Sequence, residues 1–168
     1  MVLDPLNPLT HYRLAQTLYY ARRYAEAVAA SNDLLELDPQ EPDSLVFRGL
    51  AYYGLSDFQS ARSSCEAGLT QSATQFCLAV TYHRLRLRRH ADAEAELVQL
   101  RAAGDRWAYR CAEIYAQWGN TTQALEWLDT ALRRRVPFLR WLKIDPLLDP
   151  LRQEPRFQAV ERALKFPD

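Results

Sequence analysis

The stretch AEIYAQWGNTTQALEWLDTALR, residues Ala112 to Arg133, decides the fold class. It has the pattern of two amphipathic helices joined by a tight turn at Gly119-Asn120. Small residues, Ala112 and Ala124, fall on the sides where the two helices would face each other. Apolar residues at helical spacing complete the pattern: Tyr115, Leu125, Leu128 and Leu132. The stretch therefore predicts a helix-turn-helix unit.

Similar units precede this stretch along the chain. The small residue of the first helix recurs at Ala15, Gly49, Ala79 and Ala112, and that of the second helix at Ala27, Ala61, Ala93 and Ala124. A period of roughly 20–50 residues is typical of stacked helical repeats. We predict one domain over 1–168, with repeats at about 8–40, 42–73, 74–104 and 105–135 and a capping segment at 136–168.

The repeat positions resemble those of the tetratricopeptide repeat family. The residues that carry the resemblance are Leu14, Ala15, Leu18, Tyr24, Ala27 and Pro39; Gly49, Tyr52, Phe58 and Ala61; Leu78, Ala79, Tyr82 and Ala93; and Ala112, Tyr115, Gly119, Ala124 and Ala131. The resemblance implies an all-α fold, an α-α superhelix or solenoid of about four helix-turn-helix units plus a C-terminal capping helix. It also implies a concave surface lined by the first helices.

Residues 136–168 depart from the repeat. Asp145-Pro146, Asp149-Pro150 and Glu154-Pro155 each suit an acidic cap followed by proline at the first helical position. We expect a short helical turn near Pro146–Arg152 and a closing helix from Pro155 to about Lys165 whose apolar residues lie on one side. This tail looks like the segment that follows tetratricopeptide arrays in many bacterial multidomain proteins, including regulators and signalling enzymes.

The first helices carry a second apolar stripe, which predicts a partner-binding groove. The residues expected to line it are Tyr12, Arg13, Gln16, Tyr19, Tyr20, Val46, Phe47, Leu50, Tyr53, Phe76, His83, Arg84, Arg106, Tyr109, Arg110 and Glu113. Tyrosine and arginine are enriched in binding hot spots. In the alternative interpretation, some of these rings only fill the space between adjacent first helices. Tyr19 and Tyr53 are the residues for which we most expect partner contact.

The formal net charge is zero, so no global field favours nucleic acid or an anionic membrane. Two local basic clusters exist, Arg84 to His90 and Arg133 to Lys143; we interpret them as solvated or internally paired faces rather than as a nucleic-acid site. No membrane-spanning segment is expected. Three cysteines without CxxC spacing, Cys65, Cys77 and Cys111, predict buried free thiols and a reducing, cytoplasmic location.

No acid/base pair, nucleophile site, metal-ligand motif or phosphate-binding glycine loop stands out, so we expect neither catalysis nor a cofactor nor a metal site. We predict a protein-interaction module that holds a partner peptide or segment in the groove. The alternative is a scaffold or sensory segment of a larger bacterial regulatory or signalling protein that uses its convex face or tail. The sequence leaves open self-association, and whether the chain is a whole protein or a segment of a longer one.

Overall fold

The structure is a computed structural model that describes residues 8–39, 41–68, 72–85 and 90–166. Throughout these residues the regular secondary structure is helical, which confirms the predicted all-α class. The chain forms two compact units, here called unit 1 (residues 1–93) and unit 2 (residues 94–168). Within the described ranges, no helix is both long enough and apolar enough to cross a membrane.

Unit 1 is built from helix pairs. Its helices are α1 (Pro8–Tyr20), α2 (Tyr24–Leu37), α3 (Pro42–Gly54), α4 (Phe58–Ala67) and α5 (Ser72–Arg84), and α6 (His90–Ala102) begins in this unit and ends in unit 2. Helices α1 and α2 pack together, as do α3 and α4, and α3 also contacts both α1 and α5. The first helices of the three repeats therefore lie side by side in unit 1.

The same backbone turn joins the helix pairs of repeats 1, 2 and 4. The residue two positions before each second helix has positive φ: 61° at Arg22, 63° at Ser56 and 75° at Gly119. In repeat 4 the turn is closed by a hydrogen bond of 2.9 Å from the Asn120 N–H to the Tyr115 carbonyl. This bonding returns the chain sharply and satisfies the last carbonyls of the first helix. The turn predicted at Gly119-Asn120 is confirmed.

The small residues lie where the helices pack. Ala27, Ala61, Ala93 and Ala124 all have an exposed fraction of 0%. Their counterparts in the first helices are equally buried, with Ala15 at 1% and Ala79 and Ala112 at 0%. The predicted periodicity of small residues is therefore confirmed, and a larger side chain at these positions would overpack the interior.

Two of the three cysteines are not free thiols, and this part of the sequence prediction is wrong. Cys65 of α4 and Cys77 of α5 form a disulfide, with their Cα atoms 5.7 Å apart. The reason is tertiary: packing of α4 against α5 brings the two residues together in the interior, where both are 0% exposed. Gly49 of α3 leaves room for the bond, because a Cβ there would lie only 2.7 Å from the Cys65 Sγ.

Unit 2 contains the fourth helix pair, α7 (Ala108–Gln117) and α8 (Thr121–Arg134), and the tail. The tail forms a 3₁₀ segment at Pro137–Trp141, which was not predicted, and another at Pro146–Leu151, where a short helical turn was expected. The closing helix α9 (Pro155–Ala163) begins where it was predicted and ends two residues earlier than expected. Another 3₁₀ turn, Asp105–Trp107, precedes α7. Asp145 caps its segment by accepting from the Leu147 N–H, whereas Glu154 makes no side-chain cap hydrogen bond. Asp149-Pro150 lies inside the segment Pro146–Leu151 rather than at the start of a helix, so the prediction of a cap and first helical position there is wrong.

Candidate functional site

The aromatic residues at the start of the chain pack against one another in unit 1. The Phe47 ring of α3 lies 5.7 Å from the ring of Tyr19 and 5.8 Å from that of Tyr12, both in edge geometry. Tyr20 contacts both Tyr19 and Phe47. Such edge-to-face contacts add to the free energy gained from burying the rings.

Most of the predicted groove residues in unit 1 are consequently buried. Tyr19 has an exposed fraction of 2%, and the other members at or below 6% are Gln16, Tyr20, Val46, Phe47, Leu50 and Phe76. This geometry corresponds to the alternative interpretation, in which rings fill the space between adjacent first helices. Tyr19 in particular offers a partner almost no surface. The exposed or half-buried members are Tyr12, Arg13, Tyr53, His83 and Arg84.

Three of the accessible residues in unit 1 form what we call the aromatic–arginine cluster: Tyr53, Phe58 and Arg84. Tyr53 lies in the last turn of α3, Phe58 begins α4 and Arg84 ends α5, so three helix termini meet there. The Tyr53 and Phe58 ring centroids are 5.4 Å apart, and the Arg84 guanidinium carbon lies 5.2 Å from the Phe58 centroid. This distance is within the range of cation–π attraction.

The cluster is partly desolvated. Burial raises the pKa of Tyr53 to about 12, while the charge of Arg84 acts in the opposite direction. The phenol therefore stays neutral near pH 7 and can donate or accept a hydrogen bond. Phe58 was not among the predicted site residues, because its spacing marked it as a repeat position. The sequence did offer one indication: Phe58 comes directly after the turn that follows Tyr53, so the two rings could be expected to lie close together.

In unit 2, the predicted groove residues Tyr109, Arg110 and Glu113 are buried, so the prediction that they face a groove is not met. Tyr109 and Glu113 have an exposed fraction of 0% and Arg110 of 9%. The physical reason is the tail. Its segment Pro146–Leu151 packs on α7, and the Tyr109 hydroxyl donates to the Asp145 Oδ2 at 2.9 Å.

Arg110 and Glu113 form a buried ion pair. The Arg110 guanidinium donates to both Glu113 oxygens, at 2.8 and 3.0 Å, and lies 4.4 Å from the Phe138 ring centroid. Burial raises the pKa of Glu113 well above its usual value, with Arg110 opposing that shift. These groups satisfy each other inside unit 2. Arg106 is the predicted member that remains exposed there, with its guanidinium carbon 5.7 Å from the Trp107 centroid.

Of the two basic clusters predicted from the sequence, the structure describes the second but little of the first. Arg86, Arg88 and Arg89 and the His90 side chain lie outside the described residues. In the second cluster, Arg134 pairs with Asp105 at 2.8 Å and Arg140 lies over the Trp141 ring. Arg133 donates to the Thr130 hydroxyl. Part of this cluster is therefore engaged within unit 2.

Two kinds of chemical site can be checked directly in the described part of the chain: a reactive free thiol and a metal-ion cluster. Cys111 is a buried free thiol, and burial raises its pKa to about 12, so almost none is thiolate near pH 7. A group of three or more His, Cys, Asp or Glu side chains suited to a metal ion is not found among the described residues.

Helix pairs that repeat with buried small residues, and first helices side by side, define an α-helical repeat protein. The sequence comparison agrees: residues 12–75, from α1 into the first turn of α5, match the family model described as Tetratricopeptide repeat. Over this segment, which is less than half of the chain, the sequence is that of tetratricopeptide repeats, in agreement with the predicted resemblance. Proteins of this family are typically non-enzymatic modules for protein–protein interaction. No curated protein matches the chain.

Proposed function

We propose that unit 1 binds a segment of a partner protein across its first helices, with the aromatic–arginine cluster as the main contact. The single observation that carries the proposal is that Tyr53, Phe58 and Arg84 form a contiguous surface in which two rings and a guanidinium are accessible. The buried members of the predicted groove, including Leu50, are not expected to touch the partner.

The three side chains have complementary roles. A half-buried aromatic ring adds contact area on binding at a low cost in conformational entropy. Tyrosine and arginine, the types of Tyr53 and Arg84, are enriched in binding hot spots. Arg84 rests on Phe58 and is exposed, so its planar donors suit a carboxylate or a main-chain carbonyl of a partner. The partner segment is therefore expected to combine an apolar side chain with an acceptor group.

The test begins with peptides selected from a random displayed library on the wild-type protein. Their affinities are then measured for Phe58→Leu, which keeps apolar volume but removes the ring that holds Arg84. The matched control is Phe138→Leu in unit 2, also a half-buried ring under an arginine. We expect about a tenfold loss for Phe58→Leu, in the range of a hot-spot residue, and little change for the control. Equal affinities for all three proteins contradict the proposal.

The disulfide bears on the location of the protein. The cytoplasmic location predicted from the sequence depended in part on three free thiols, and the Cys65–Cys77 disulfide removes that part of the argument. Disulfides persist mainly in oxidising compartments and on cell surfaces. We therefore propose that the protein works where this bond is maintained, as an interaction module outside the reducing cytoplasm or as part of a larger regulatory protein exposed there.

A further inference from the structure

A basic pocket lies in unit 2, on the tail side. Its volume is about 500 Å³, and its lining includes Lys143, Arg152, Arg162, Lys165 and the half-buried ring of Phe166. Glu161 is the one acidic residue of the lining among the residues that the structure describes. Lys143 and Lys165 are the only lysines in the sequence, so both of the chain's side-chain amines converge on this pocket.

Arg152 forms the fixed part of this pocket. Its guanidinium donates to the main-chain carbonyls of Leu142 at 3.2 Å and Asp145 at 3.0 Å, and it pairs with Asp149 at 3.3 Å. The Gln158 side chain in turn donates to the Arg152 carbonyl at 3.2 Å. The Gln158 bond ties α9 to the preceding segment of the tail, and the other bonds hold Arg152 in place with its charge already engaged.

The remaining three cations are not engaged. Lys143, Arg162 and Lys165 are exposed, and none of them has an ion-pair partner within the described residues. Two other exposed arginines of unit 2 differ: Arg134 pairs with Asp105 and Arg156 pairs with Asp129. Like charges held close together destabilise each other, so this pocket gains by receiving negative charge from elsewhere.

We infer that this pocket binds an acidic segment of a protein partner, with carboxylates reaching Lys143, Arg162 and Lys165 and with an apolar side chain on the ring of Phe166. The cations project on long side chains from two parts of the tail, which suits several carboxylates along an extended segment. A single compact phosphate is usually held by main-chain N–H groups at a helix N-terminus, whereas this pocket lies at the C-terminal end of α9.

A purely structural role would explain only some of the basic residues that line this pocket. Basic residues in the last turn of a helix compensate the negative end of its dipole, and Arg162 occupies that turn of α9. Lys143 belongs to a different segment, shortly after the 3₁₀ segment that ends at Trp141, and has no such role. The inference is independent of the aromatic–arginine cluster, because it concerns another surface and another partner chemistry.

The experiment uses the full chain and a short labelled peptide rich in aspartate and glutamate, with a matched asparagine and glutamine peptide as reference. Binding is measured by fluorescence anisotropy at low and high salt. The variant is Lys143→Gln with Lys165→Gln, and the matched control removes the same charge from exposed positions of unit 2, Arg133→Gln with Arg140→Gln. Carbodiimide coupling of the acidic peptide, followed by peptide mapping, reports which amines it contacts.

We expect the acidic peptide to bind, the lysine variant to bind about fivefold to tenfold more weakly, and the control variant to stay within about twofold. Coupling should occur at Lys143 and Lys165, and high salt should reduce it. The inference is overturned by equal losses in both variants, by equal binding of inorganic phosphate in competition, or by no binding at all. Self-association that disappears in the lysine variant also overturns it, by assigning the pocket to a second copy.

Discussion

The two units bury the same face of the helical repeat pattern by different chemistry. In unit 1, the second stripe of α1 and α3 is covered by rings, with Tyr19, Tyr20 and Phe47 in mutual contact. In unit 2, the corresponding face of α7 is covered by the tail: the Tyr109 hydroxyl donates to Asp145, and the Arg110 guanidinium, which pairs with Glu113 of the same helix, lies over the Phe138 ring. The same apolar stripe in the sequence therefore leaves some residues accessible in unit 1, whereas in unit 2 the tail covers it.

The largest expected effect in this comparison is in unit 1. Replacing the buried Tyr19 by Ala should lower the free energy of unfolding by about 3–4 kcal/mol, as is usual when a large core side chain is truncated. The half-buried Tyr53→Ala should cost roughly half as much, because less of its area leaves water on folding. Urea unfolding followed by circular dichroism measures both. Similar small losses in the two variants would mean that Tyr19 is a surface residue after all.

The tail of unit 2 should be the next most sensitive region. Asp145→Ala removes the cap at Leu147 and leaves the buried Tyr109 hydroxyl without its acceptor, at an expected cost of about 2–3 kcal/mol. Glu154→Ala is the control, since it also precedes a proline but makes no cap hydrogen bond; about 0.5 kcal/mol or less is expected. A comparable loss at Glu154 would contradict the role given to Asp145.

The disulfide of unit 1 should contribute a similar or slightly smaller amount. Cys65→Ser with Cys77→Ser is expected to lower the free energy of unfolding by about 2–3 kcal/mol. Thiol titration of the denatured wild-type chain, prepared without reductant, should detect a single free thiol, Cys111. Three reactive thiols in protein from its native source would show that the bond does not form there.

The ion pair of unit 2 gives the smallest and most specific effect, a dependence on pH. The pKa of Glu113 is raised in the folded state, so the folded chain holds its proton more tightly than the unfolded chain. Its contribution to stability is full below the unfolded pKa and is lost as the pH rises through the folded pKa. The stability of wild type relative to Glu113→Gln, measured by urea unfolding, should therefore be lower at about pH 8 than at about pH 5. An unchanged difference would indicate a pKa that is not raised.

The sequence predicted what depends on local pattern. Helical periodicity located the pairs, the Gly119-Asn120 dipeptide located a turn, and Pro146 and Pro155 marked the starts of the tail segments. What it could not predict depends on distances between separate elements. Cys65 and Cys77 meet only because α4 packs on α5, and Tyr109 is buried only because a segment far along the chain folds over α7.

The proposed partner surface could be predicted only in part, for the same reason. Tyr53 and Arg84 were expected from their positions on first helices, and they do lie in one cluster. Phe58 was not expected there, because a residue at a repeat position is normally assigned to packing. The exposure of a side chain depends on the residues that pack against it from other elements, and the periodicity of one helix does not reveal these contacts.

The measurement that tests the account most directly compares two exposed arginines that each lie over an aromatic ring, Arg84 in unit 1 and Arg106 in unit 2. A peptide selected on the wild-type protein is titrated against Arg84→Gln and Arg106→Gln. We expect Arg84→Gln to weaken binding by about tenfold and Arg106→Gln by less than about twofold. The opposite order, or an equal effect of both changes, would contradict partner binding through the aromatic–arginine cluster of unit 1.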